Sequence, residues 1–186
     1  MLERSKRMIP VMLFMLVILT YGLPVLFLLA TYLGEGAGQY REKFVFIVLS
    51  MACSALSVNG IKYLIDRPRP FVVYPFLEKL ASGGSPSFPS GHAADAFALA
   101  TALSIVFPGK RVIISAYLLA CLIGYSRMAL GVHYLSDVLA GAFTGAASAY
   151  MFGCLLSPCA CRTFVRVGFV SPGKNMMNKI RSFFRS

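Results

Sequence analysis

Five apolar runs divide the chain: residues 8–32, 44–65, 92–107, 111–130 and 133–156. Short polar breaks, one long polar loop and a basic tail separate and follow them. Most runs approach or exceed the roughly 20 residues that cross about 30 Å of hydrocarbon. Lipid offers no partner for backbone N–H and C=O groups, so each run is predicted to be helical. The third run is the short one, and it either continues past Pro108 or sits partly in the interface. The pattern predicts an all-α, polytopic membrane bundle of about five to six transmembrane helices, as one domain over residues 1–186.

The breaks carry their own signals. Gly22-Leu23-Pro24 should kink or interrupt the first run. Arg4, Lys6 and Arg7 ahead of that run look like the start of a secretory signal, but the apolar stretch exceeds a typical signal core, so an uncleaved anchor is expected. Residues 66–91 are rich in Pro, Gly and Ser, from Arg67-Pro68-Arg69-Pro70 to Pro89-Ser90-Gly91. That turn chemistry makes a loop and not a span. In the tail, residues 162–186, Arg162, Arg166, Lys174, Lys179, Arg181 and Arg185 alternate with Met176, Met177, Ile180, Phe183 and Phe184. Two readings stand for it: an amphipathic helix on an anionic leaflet, or a frayed basic end.

Composition agrees with a membrane protein. Hydrophobic residues are 58% of the chain and charged residues 13%, which excludes an ordinary soluble domain. The net charge of +11 comes from cations at the ends of apolar runs and in the tail. That placement suits lipid headgroups and topology signals; nucleic-acid binding would need a basic face on a soluble fold. The cysteines are Cys53, Cys121, Cys154, Cys159 and Cys161, and their spacing fits no four-ligand zinc site. They read as small packing residues, with palmitoylation of Cys159 or Cys161 as the alternative.

Three strings stand out against this background. Lys62 and Arg69-Pro70 end the second run, Pro89-Ser90-Gly91-His92 opens the third, and Ser126-Arg127 with His133 and Asp137 joins the fourth to the fifth. Counting spans places all three at one membrane face. If that face is external, the inside holds Arg41, Lys43, Lys110, Arg111 and the six tail cations, and the positive-inside rule favours this orientation modestly. Arg4, Lys6 and Arg7 argue the other way, unless the first run is re-entrant at Pro24.

Each string has a plain reading and a chemical one. His133 and Asp137 are four apart, so on a helix the carboxylate would accept the imidazole N–H and fix its tautomer; the plain reading is a buried polar pair. Ser90 would cap a helix whose N-terminus binds phosphate, Gly91 would let the backbone approach an anion, and His92 could protonate a leaving oxygen; the plain reading is an ordinary cap. Lys62, Arg69 and Arg127 would stabilise the charge of a phosphoryl group in transfer; the plain reading is span-flanking cations. Asp66 and Arg67 read as a local ion pair, and Asp95 as a partner that orients His92. With two histidines and no carboxylate cluster, no metal site and no cofactor is expected.

The joint pattern Lys-x6-Arg-Pro, Pro-Ser-Gly-His and Ser-Arg-x5-His-x3-Asp resembles the type 2 phosphatidic acid phosphatases, integral-membrane lipid phosphatases that are similar in turn to vanadium haloperoxidases. Every signature position is matched between Lys62 and Asp137. The resemblance implies a helical core of that type and a metal-free reaction. In it, His133 is the nucleophile that forms a phosphohistidine, Asp137 orients it, and His92 handles the proton. Lys62, Arg69, Ser90, Gly91 and Arg127 cradle the phosphate, and vanadate should inhibit. It further implies a bacterial-type enzyme of the inner (plasma) membrane with its site facing the periplasm or exterior, acting on a lipid phosphate or pyrophosphate. Phosphatidylglycerophosphate, phosphatidic acid, undecaprenyl pyrophosphate and lipid A 1-phosphate are the classes implied. Many members carry two spans before the first string, where this chain shows one clear run. The alternatives are a lipid phosphotransferase with the same intermediate and, from another class, a small anion transporter.

Overall fold

The computed structural model describes residues 37–74 and 85–156. The first run, Gly22-Leu23-Pro24, the basic tail, Cys159 and Cys161, and the middle of the polar loop lie outside the described residues. Regular structure among the described residues is all helical, in the order α1 (Ala37–Ile65), α2 (Pro70–Val73), α3 (Gly91–Val106), α4 (Lys110–Ala129) and α5 (Leu135–Leu156).

Three of these helices, α1, α4 and α5, carry stretches long and apolar enough to cross a membrane. At 1.5 Å per residue, the 16 residues of α3 reach only about 24 Å, short of the hydrocarbon thickness. It ends at Val106, and Pro108 and Gly109 turn the chain directly into α4. The third run therefore does not continue past Pro108. Length is compensated by position: α3 packs against α1, α4 and α5, and α1 also packs along α5. It is the helix the others surround.

Burial runs opposite to a water-soluble bundle. The large side chains Leu56, Ile114, Phe143, Met151 and Leu155 point outward. Inside are Ala93, Ala94, Ala98, Ala102 and Ala149 with Ser50, Ser54 and Ser104. Lipid is as apolar as leucine, so helices gain little by hiding leucine from it; they gain by bringing backbones close through small residues. Gly141 and Gly145 show how close. A Cβ at Gly141 would land on the Ser90 carbonyl, and one at Gly145 on the backbone of Ala94. On the α4 side, a Cβ at Gly124 would meet Val138 Cγ1 at 2.9 Å.

Two helix stops share one geometry. The Asp66 N–H donates to the Lys62 carbonyl at 3.0 Å, with Asp66 in the left-handed region at φ +41°. At the end of α4, Gly131 adopts φ +65°, its N–H donates to the Met128 carbonyl at 2.9 Å, and Val132 reaches the Arg127 carbonyl at 3.3 Å. Both are left-handed caps, the second a Schellman motif. In each, the residue that accepts from beyond the cap is a cation of the predicted site, Lys62 or Arg127. Both helices thus end one turn past their cation and swing the chain back over it.

Candidate active site

The C-terminal ends of α1 and α4 and the N-terminal ends of α3 and α5 meet at one end of the bundle, and the three strings meet there with them. Lys62, Ser90, Arg127, His133 and Asp137 are all buried. Arg69 and His92 are half-buried at the rim. The charges of Lys62, Arg69 and Arg127 are near enough to act on His92. Gly91 is the first residue of α3, and the position of its missing Cβ is open space.

Lys62 and Arg69 converge on the returning loop. Lys62 Nζ donates to the Pro86 carbonyl at 2.7 Å and to Ser85 Oγ at 3.2 Å. Arg69 Nε donates to the Ser85 carbonyl at 2.9 Å, its second nitrogen reaches Ser85 Oγ at 3.2 Å, and the third reaches the Val132 carbonyl at 3.4 Å. Two cations from different elements are fixed a few ångströms apart, which is what a multiply charged anion requires.

Several sequence expectations are corrected here. His133 precedes α5, which starts at Leu135, so His133 and Asp137 do not share a helix face. His133 Nδ1 lies 3.7 Å from Asp137 Oδ2, beyond hydrogen-bond reach. Ser90 occupies the N-cap position of α3, yet its hydroxyl makes no cap bond; it is fully buried without a hydrogen-bond partner. Its backbone N–H donates instead to the Asp137 carbonyl at 2.9 Å, locking α3 to α5. The polar loop is not wholly irregular, because Pro70–Val73 make one helical turn behind Arg69. Arg67 turns away from Asp66 and pairs with Asp137.

That pairing makes Asp137 a hub. Its Oδ1 accepts from Arg67 at 2.8 Å; its Oδ2 accepts from Ser87 Oγ at 2.5 Å and from the Tyr134 N–H at 2.9 Å. Arg67 also donates to Ser136 Oγ at 2.7 Å and lies over the Tyr134 ring at 4.1 Å, while its carbonyl accepts from the Ser87 N–H at 2.8 Å. One fully buried carboxylate thereby ties the α1 end, the loop before α3 and the start of α5 together. Sequence reasoning gave Arg67 only a local pairing with Asp66 and assigned no role to Ser85 or Ser87. The only available signal was the doubled Arg-Pro, and a serine in a Pro-rich loop carries no periodicity to read.

His133 is left as a neutral, buried imidazole. Its pKa is lowered from 6.5 to about 4, first by burial and then by the positive charge of Arg69, with Lys62 adding to it; Asp137 and the Ser87 backbone pull the other way. Nδ1 is turned toward Asp137 Oδ2, and the Ser87 backbone also acts on the ring. The buried Ser90 hydroxyl without a hydrogen-bond partner, beside converging cations, fits an oxyanion bound at this end of the bundle. The PAP2 superfamily model matches residues 43–158, and these enclose the whole arrangement.

The chain belongs to the PAP2 superfamily. Lipid A 1-phosphatase of Rhizobium johnstonii is 33% identical over 108 residues, 54% of this chain and 43% of that one. Phosphatidylglycerophosphatase B of Bacillus subtilis is 32% identical over 124 residues, 61% of this chain and 59% of that one. The chain therefore spans less than two thirds of either PAP2 relative. The crystal structure of Aquifex aeolicus LpxE matches at 28% identity with a TM-score of 0.56, over 75% of this chain and 93% of that one. An integral membrane protein of this superfamily, with its polar residues gathered at one bundle end, is the consistent outcome.

Proposed function

We propose that this PAP2 protein removes phosphate from a membrane lipid phosphate or pyrophosphate without a metal. The observation that carries the reading is that Lys62, Arg69 and buried Arg127 lie within charge range of His92, with Lys62 and Arg69 also acting on buried His133. His133 Nε2 attacks phosphorus in line with the bond to the lipid oxygen. The P–N bond forms as the P–O bond breaks, and His92 delivers its proton to the leaving oxygen. Water then attacks the phosphohistidine, His92 takes the water's proton, and inorganic phosphate leaves. Lys62, Arg69, Arg127, the Ser90 hydroxyl and the backbone at Gly91 hold the three non-bridging oxygens, where charge is greatest in the transition state. The metal-free reading rests on the donor set: lysine and arginines stand where a metal site would present carboxylates.

The relatives named above are called lipid A 1-phosphatase and phosphatidylglycerophosphatase, and a lipid phosphate of that class suits a site of cations and histidines at the end of an apolar bundle. The orientation proposed is an integral inner-membrane protein with the site facing outward, as one membrane-embedded domain. Purified protein in detergent, with chelator and a panel of lipid phosphates and pyrophosphates, tests the whole reading. Wild type should release phosphate from at least one lipid, and His133→Ala should lower that rate by about 10³-fold or more while keeping its helicity. Turnover in His133→Ala within tenfold of wild type would refute it.

A further inference from the structure

The Asp137 carboxylate has three donors, and none of them is His133. The oxygen nearest the imidazole, Oδ2, is taken by Ser87 Oγ and the Tyr134 N–H and stands 3.7 Å from Nδ1. The other oxygen is taken by Arg67, whose guanidinium is itself fixed by Ser136 Oγ and by stacking on Tyr134. Asp137 is fully buried and Arg67 half-exposed, and the guanidinium is the cation paired with this buried carboxylate.

We propose that Arg67 and Ser87 are positioning residues that clamp the Asp137 carboxylate, occupy its oxygens, and hold it off His133 Nδ1 so that the imidazole stays open to phosphorus. This rests on His133 being the nucleophile. The clamp suits that role because of when the charge appears. Attack on phosphorus makes the imidazole cationic, and an Oδ2 already 3.7 Å away needs only a small shift to accept its N–H. An interaction made after the charge develops lowers the barrier; one made beforehand stabilises the ground state equally and gains nothing. Lys62 from α1, Arg69 ahead of α2 and Asp137 on α5 are the charged groups acting on His133; His92 on α3 and Arg127 on α4 complete the site around it. Removing Arg67 or Ser87 returns acceptor capacity on Asp137 to His133 while the substrate is still bound.

The chain has two histidines, so a nitrogen-15 histidine titration of the full-length protein in detergent resolves both imidazoles, with His92→Gln to assign them. Arg67→Gln and Ser87→Ala should each raise the His133 midpoint by about one pH unit. The acid limb of kcat/KM for lipid phosphate hydrolysis should move with it. Both should lower kcat by about tenfold with little change in KM, and Arg67→Lys should fall between them and wild type. An unmoved midpoint in whichever of these variants folds overturns the clamp. Collapse of all three, Arg67→Lys included, assigns Arg67 and Ser87 a structural role only and overturns it as well. A midpoint that rises while the rate limb stays put upholds the clamp and removes His133 as nucleophile, so the two failures are distinct.

Discussion

The α3–α5 seam and the polar end of the bundle lie on the same two helices and are specified in opposite ways. Along the seam, Gly141, Gly145, Ala94, Ala98 and Ala149 work by being small, and the information is the absence of atoms. At the polar end, Lys62, Arg127, His133 and Asp137 work by charge and donor geometry, and the information is the identity of each group. The two regions are joined at Ser90: its backbone N–H bonds to Asp137, and its carbonyl is what the missing Cβ of Gly141 makes room for. Close packing is therefore what brings the α3 N-terminus, with Ser90, Gly91 and His92, up to the charged groups.

That comparison can be broken from either side. The largest effect belongs to Arg127, a buried cation of the proposed phosphate cradle. Arg127→Ala should lower kcat/KM for lipid phosphate by about 10²–10³-fold, read from initial rates, because one preorganised charge is lost from the transition state. Gly145→Val should act through the seam instead. Its side chain would need the space of the Ala94 backbone, and overpacking of this kind costs about 1–3 kcal/mol or more, seen as a lower midpoint of thermal unfolding in detergent. If Gly145→Val left stability unchanged and removed activity alone, seam and site would not be separate in the way described.

pH gives the next effect in size. His133 holds a pKa of about 4 in the fold against 6.5 ordinarily, so the folded protein binds fewer protons than the unfolded chain between those values. Stability supplied by the neutral imidazole is present above about 6.5 and is lost as pH falls toward about 4. The acid limb of kcat/KM should lie near pH 4 by the same shift, and a limb at 6.5 would show that His133 is not the group being titrated. The smallest effect is at a cap. Gly131→Ala forces a side chain into φ +65°, at about 1 kcal/mol, and should lower stability slightly while displacing His133 two residues on.

The same contrast explains what could be read from the sequence. The charged strings were legible because Lys62, Arg69, Ser90, His92, Arg127, His133 and Asp137 are costly in an apolar chain, and span order alone put them at one end. Helix positions followed from apolar length. The contacts were not legible. His133 and Asp137 at i and i+4 suggested a shared face, but the Schellman stop at Gly131 delays α5 to Leu135 and leaves His133 in the turn. Arg67 beside Asp66 suggested a local pair, but the left-handed cap at Asp66 turns the chain so that Arg67 meets a carboxylate 70 positions away. Asp137 lies 3.7 Å from His133 Nδ1, and its hydrogen bonds go to Arg67, Ser87 and the Tyr134 N–H, contacts that spacing does not announce. Caps decide these outcomes, and a cap is a property of backbone direction that spacing does not encode.

The most direct test of the central claim uses His92→Ala and a labelled aryl phosphate, whose leaving group needs no proton. The first step should then proceed and the second should stall, so that labelled phosphate builds up on the protein with a burst of about one equivalent of phenol. The account predicts an acid-labile, alkali-stable label on the peptide carrying His133, and no label when His133→Ala is added. A label that persists in the double variant, or that maps to another residue, would contradict it.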